Sequence, residues 1–336
     1  LESQILAIAT TTGTLIQFII QIVQIYKIGL LRFSSIWHGF FDEEKRIFNL
    51  IIPASFSSGL GQINVFVDMF FASSFPGAAS GLAYGNFLIQ APLGILSNAL
   101  ILPFLPKISK LIKAKESKNL QKTIFRNTEY VFLTTFFLSG IFITFNNEII
   151  EVIFQRGAFN NDASLTVKKI LIAYAIGIPF YLYRDFLIRI FYALEKIKLP
   201  FKLSLLGIAL NISFDWILIG GPIINKGNIF PFNFGISGIV LASGFVNFII
   251  SFLLAMNLKI KDRTLINNFL SKKVLLIFLA FVLTTFFSIQ ISNLFQIKNE
   301  GFYNSCLELF AGFTIFTILY FIFTKFLKVN SIKIQL

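Results

Sequence analysis

The sequence is poor in the residues that soluble chemistry relies on. Its 336 residues include one cysteine and one histidine, and only 13% are charged. Cys306 on its own closes no internal disulfide. His38, beside Trp37 and Asp42, has no second His or Cys with which to complete a metal site, so a surface or structural role is expected for it. No nucleotide-binding glycine loop, H-E-x-x-H helix or Ser-His-Asp set occurs. Without these, ATP-driven transport within this chain has no residues to run on. Acidic residues are scarce too, 16 against 29 Lys and Arg, for a net charge of +13. In a soluble protein that balance would suggest nucleic acid; membrane topology is the better account here, and no nucleic-acid partner is expected.

What the chain has in excess is apolar length. Hydrophobic residues make up 56% of it, and its mean hydropathy is +0.78. They run in stretches of about 20 instead of alternating with polar residues, the length a helix needs to cross roughly 30 Å of hydrocarbon. An ordinary soluble enzyme, a disordered chain and a disulfide scaffold are all excluded. The fold expected is an all-α polytopic membrane protein with nine transmembrane helices, over about 3–26, 48–73, 79–105, 128–146, 166–193, 202–220, 235–257, 273–294 and 302–326. The chain opens at Leu1 with apolar sequence and no basic leader ahead of it, so its first segment reads as a span and the whole as the C-terminal part of a longer protein.

Basic residues divide unevenly between the connecting loops. Of the 29, 22 fall on one side of the expected membrane, five on the other, and Arg184 and Arg189 lie within the fifth span. Arg156 belongs to the poor side. The rich side is cytoplasmic by the positive-inside rule, which puts the C-terminus inside. The richest loop, KISKLIKAKESKN from Lys107, reads as a solvated positive loop or as an amphipathic helix on the inner leaflet. The outer stretch from Asn146 to Ser164, with Gly157 after an apolar turn, suggests a short interfacial element.

Polar residues inside spans are costly, about 2.5–3.5 kcal/mol for a charge at the bilayer centre, and so mark function. Asp68 stands on the second span after Gln62 and Asn64, Asn211 and Asp215 lie one turn apart on the sixth, and Ser243 sits in a small-residue run on the seventh. Two carboxylates, an amide and a hydroxyl suit a hard monovalent cation, Na⁺ or H⁺; without one the carboxylates repel. The alternative is that each polar group only hydrogen-bonds a neighbouring helix. Arg184, Asp185 and Arg189 either hold an anionic headgroup or snorkel to the interface. Pro92 and Pro179 favour kinks, and the small-residue pairs Gly59-Leu-Gly61 and Gly235/Gly238 suit helices that rock against one another.

These segments also carry a family pattern. SGLGQINVFVDMFFASSFPGAASGLAYGNFLIQAPLGILSNALILPFLPKISKL (58–112), FQRGAFNNDA (154–163), LIAYAIGIPFYLYRDFLIRIFYALEKIKLPF (171–201) and LSLLGIALNISFDWILIG (203–220) resemble, in order, segments of the MurJ/MviN family of lipid II flippases. The resemblance implies a multidrug/oligosaccharidyl-lipid/polysaccharide exporter fold lacking its first five helices. Residues 1–35 would then be the last helix of the N-terminal lobe and the start of the inter-lobe loop, 36–262 the C-terminal six-helix lobe, and 263–336 two further helices forming a lipid-tail groove. It implies flipping of lipid II, or a similar polyprenyl-diphosphate lipid, from the inner to the outer leaflet of a bacterial plasma membrane. Coupling would be to a cation or the membrane potential, with Na⁺ at Asp68, Asn211 and Asp215 and with Ser243 and the Ile239 carbonyl as the counterparts on the next helix. No covalent chemistry is then needed, so the resemblance implies a transporter and not an enzyme. No other cofactor is expected. One departure stands out: Tyr84-Gly85-Asn86-Phe87-Leu88 has Phe87 where many members carry an Arg that helps hold the diphosphate, so Arg184 or Arg189 is expected to share that work. Two other readings remain open, a related cation-coupled exporter of drugs or polysaccharide units, and a non-transporting scaffold for cell-wall assembly.

Overall fold

The computed structural model describes residues 2–29, 62–155, 159, 161–221, 233–260, 263–264, 269–295 and 302–329. His38, Gly59, Gly61, Arg156 and Gly157, singled out above, lie outside these residues, as does the first half of the expected second span. The chain divides into two compact units, Leu1–Ile52 and Pro53–Leu336. In the first, α1 (Glu2–Lys27) is one uninterrupted helix over the expected first span.

The second unit is built almost wholly of helices, because a backbone in hydrocarbon must satisfy its own N–H and C=O groups. After α2 (Gln62–Ala72) the chain turns through Gly77, whose φ of 74° suits the residue without a Cβ. Then come α3 (Ala78–Leu96), a π-helical turn at Ser97–Ile101, and α4 (Phe104–Lys113). They are followed by α5 (Ser117–Thr144), α6 (Asn146–Phe154), α7 (Asn161–Ala193), α8 (Lys198–Leu218) and α9 (Ile236–Asn257). A minimal antiparallel hairpin, β1 (Lys259–Ile260) and β2 (Arg263–Thr264), precedes α10 (Lys272–Phe295) and α11 (Phe302–Phe326).

Among the described residues six helices are long and apolar enough to cross a bilayer, or seven if α5 and α6 form one broken span. The described residues do not establish the expected count of nine; α2, described only from Gln62, is too short to count. Of the basic stretch from Lys107, residues 107–113 are helical in α4, with Ile108 fully buried and the lysines on the outer face, an amphipathic helix. α4 continues the α3 rod, which runs from Ala78 to Lys113, and the rest of the stretch turns into α5. The interfacial element after the fourth span is α6, bent by 75° from α5 at Phe145.

Helix α7 is the axis of this unit and packs on α3, α5 and α9. Two glycines set its closest crossing: a Cβ on Gly177 would stand 3.2 Å from Gly244 Cα of α9. Gly238 does the same between α9 and the end of α8, where a Cβ would come within 2.7 Å of the Leu218 carbonyl oxygen. Small residues at such crossings let membrane helices approach backbone to backbone. The last two helices belong to this compact unit. Lys273 Nζ of α10 lies 3.0 Å from the buried Glu129 Oε1 of α5, and Gly312 of α11 receives the ring of Phe145.

Candidate functional site

The close α8–α9 packing allowed by Gly238 turns the polar face of α8 towards Ser243, and α2 supplies the third wall. Asn211 lies at the centre. Its Nδ2 donates to Asp68 Oδ1 at 2.7 Å and to Asp215 Oδ2 at 3.0 Å. Its Oδ1 accepts from Ser243 Oγ at 3.1 Å, and that hydroxyl also lies 3.3 Å from Asp68 Oδ2. Four residues from three helices thus form one hydrogen-bonded knot. Asn211 and Asp215 are fully buried, and Asp215 Oδ1 is buried without a hydrogen-bond partner. Ile239, the fifth expected member, is fully buried one turn before Ser243 on α9.

The donor set here is hard oxygen: two carboxylates, an amide carbonyl and a hydroxyl. An orphaned buried carboxylate oxygen costs free energy unless something positive or protic meets it, so these residues fit a monovalent cation or a proton. Among the described residues no three His, Cys, Asp or Glu side chains converge as they would to hold a metal ion.

Asp68, Asn211 and Ser243 line a cavity of about 370 Å³ that extends along α7. Tyr174, Gly177, Tyr181 and Arg184 line it from α7, recurring on a single helical face. Asn247, one turn beyond Ser243, accepts a hydrogen bond from Arg184 Nη1, and the guanidinium stacks 5.4 Å from the Tyr181 ring centre. Arg184 Nε is buried and unpartnered. Among the described residues, Arg184 is the sole basic residue of the cavity lining and Asp68 the sole acidic one.

The two candidate headgroup arginines separate. Arg189 does not line this cavity. Its Nε pairs with Asp185 Oδ2 at 3.0 Å, and Ser97 of the π-helical turn bonds to both at 3.4 Å. Arg189 therefore ties α7 to α3. Phe87 points away, 67% exposed, while its neighbour Asn86 lines the cavity.

A family profile described as "Lipid II flippase MurJ" matches residues 1–312. The chain belongs to the MurJ family. A relative from Synechocystis sp., named a probable lipid II flippase MurJ, is 39% identical over 251 residues, 74% of this chain and 44% of the relative. One from Buchnera aphidicola with the same name is 25% identical over 98% of this chain and 62% of its own length. The chain thus spans about half the length of the curated relatives it matches. A solved structure, a lipid II flippase MurJ in an inward closed conformation, superposes with a TM-score of 0.64 over 88% of this chain and 58% of the other, at 23% identity. That likeness establishes the MurJ fold.

Tyr174, Asn86, Gln90 and Asn247 were not singled out from sequence. Their signal was present as spacing: Tyr174, Tyr181 and Arg184 fall on one stripe of α7, and Asn247 follows Ser243 by four residues.

Proposed function

We propose that this chain is the cation-binding and headgroup-binding part of a flippase that carries a lipid-linked peptidoglycan precursor, lipid II or a similar polyprenyl-diphosphate lipid, from the inner to the outer leaflet of a bacterial plasma membrane. The observation that carries the reading is the continuity of one cavity from the Asp68–Asn211–Asp215–Ser243 knot to Arg184, in a chain of the MurJ family. Arg184, held by Asn247 and the Tyr181 ring, presents a fixed guanidinium to a phosphate; its planar fork suits that partner. A cleft of about 480 Å³ between α10 and α11, walled by Ile291, Phe310 and Ile315, supports a place for the lipid tail.

A monovalent cation bound at the knot would offset one of the two negative charges that the Asp68 and Asp215 carboxylates bring to it. The residues of the knot come from α2, α8 and α9, so their oxygens keep this spacing only while those helices keep theirs. An alternating-access protein can be biased by a ligand only through such a difference between its states. No covalent step is involved.

The test is rescue of cells depleted of their own lipid II flippase by the full-length protein. Rescue that is lost in Arg184→Ala supports the reading. Efflux of small cationic drugs without rescue overturns it in favour of a drug exporter, and undiminished rescue by Asp68→Ala, Asp215→Ala and Arg184→Ala overturns it in favour of a scaffold.

A further inference from the structure

The cleft between α10 and α11 has apolar walls and one charged end. Glu308 of α11 lines it, as do Ser288 and Ser292, one turn apart on α10. Phe145, also on the wall, rests its ring on Gly312, one turn beyond Glu308. That contact seats the first turn of α6 against α11 and brings Glu148 within electrostatic reach of Glu308. Glu148 is only 9% exposed. Its carboxylate accepts from its own backbone N–H, yet Oε2 is buried and has no hydrogen-bond partner. Glu151 Oε2, nearly one turn on, accepts from Ser305 Oγ of α11 at 3.1 Å, and its Oε1 lies 3.8 Å from Lys168 Nζ of α7.

Among the described residues, the charges that act on Glu148 are two carboxylates, Glu308 and Glu151, and one ammonium, Lys168, which already pairs with Glu151. This end of the cleft thus carries surplus negative charge beside a buried carboxylate oxygen that no donor meets. Such an oxygen is costly until a cation or a donor joins it, and a carboxylate within a spanning helix, as Glu308 is, marks function. An anionic head is repelled here, whereas an ammonium brings both the opposite charge and N–H donors. The apolar walls, Ile291, Phe310 and Ile315, call for a hydrocarbon chain beside that ammonium. Ser288 and Ser292 offer hydroxyls to the phosphate or ester that joins the two. At about 480 Å³ the cleft is in the size range of ligand pockets.

We propose that this cleft is a binding site for an aminophospholipid of the bilayer, its ammonium between Glu148 and Glu308 and an acyl chain along α10 and α11. The site stands without the flippase reading. Under that reading, the aminolipid is the occupant that a polyprenyl tail displaces.

Native mass spectrometry tests it on the full-length protein released from nanodiscs of equal phosphatidylethanolamine and phosphatidylglycerol with identical chains. The expected result is preferential retention of phosphatidylethanolamine, with that preference reduced about tenfold in Glu148→Gln/Glu308→Gln, as the loss of one charged hydrogen bond gives. Both changes are near-isosteric and relieve like-charge repulsion, so folding is spared. Glu116→Gln, at the exposed turn before α5, is the charge control and leaves the preference as it was. Ala311→Leu, on the exposed wall of the cleft, lowers retention of both lipids. A parent that retains the two lipids equally, or a preference that survives the double variant or vanishes in Glu116→Gln, overturns the site. Undiminished retention in Ala311→Leu puts the lipid outside the cleft and overturns it too. None of these outcomes bears on rescue, which tests the flippase reading separately.

Discussion

Asn211 and Asp215, one turn apart on α8, are joined by a 3.0 Å hydrogen bond, and the same amide nitrogen reaches Asp68 of α2 at 2.7 Å. One side chain therefore sets the distance between two carboxylates that lie 147 positions apart in the sequence. Asn211→Asp would put a third carboxylate into a buried knot and remove its only amide donor. The expected outcome is a lower melting temperature than in Asn211→Ala at low salt, since a buried unpaired charge costs more than a lost hydrogen bond. Thermal melts of the two variants side by side check it.

The Gly177–Gly244 crossing holds α7 against α9, and the cavity wall with it. Gly244→Val would force the backbones apart and cost about 1–3 kcal/mol, as overpacking does. Gly94, with open space around its Cβ position, is the control: Gly94→Ala should melt no lower than the parent.

Lys273 and Glu129 form an unequal pair, the carboxylate side chain 2% exposed and the ammonium side chain 43%. Removing the lysine strands a buried charge, whereas removing both charges does not. Lys273→Ala should therefore destabilise more than Lys273→Ala/Glu129→Gln, and a double-mutant cycle measured by melting checks the sign.

At the far end of the same helices, Gly312 receives Phe145 at the α5–α6 elbow, where a Cβ would come within 2.3 Å of the ring. Gly312→Leu should open the 75° bend and reshape the cleft between α10 and α11. Cross-linking of a photoactivatable polyprenyl lipid to that cleft should fall, while cation-dependent stabilisation stays.

Much of this was readable beforehand, and the physical reason is expense. Charges in hydrocarbon are tolerated only for a purpose, so Asp68, Asn211, Asp215 and Ser243 stood out and proved to be one cluster. Apolar run length likewise announced most of the helices. Two features escaped. Arg184 and Arg189 look alike in sequence, but they lie on different faces of α7, and only the packing of α3 and α9 decides which one meets a cavity and which meets Asp185. Of the amides that line the cavity, Gln62, Asn64 and Asn211 stood out beside the carboxylates, whereas Asn86, Gln90 and Asn247 escaped because an uncharged side chain alone raises no alarm along a span. The course of α4 was also hidden: a basic composition left a loop and a surface helix both open, yet a π-helical turn joins α4 to α3 in one rod.

The central claim is that the Asp68–Asn211–Asp215–Ser243 knot holds a monovalent cation. Thermal melting of the full-length protein across a Na⁺ titration, with choline as the ionic-strength control, addresses it most directly. The account predicts a saturable rise in melting temperature in the parent that is absent from Asp215→Ala. Identical curves for parent and variant would contradict it.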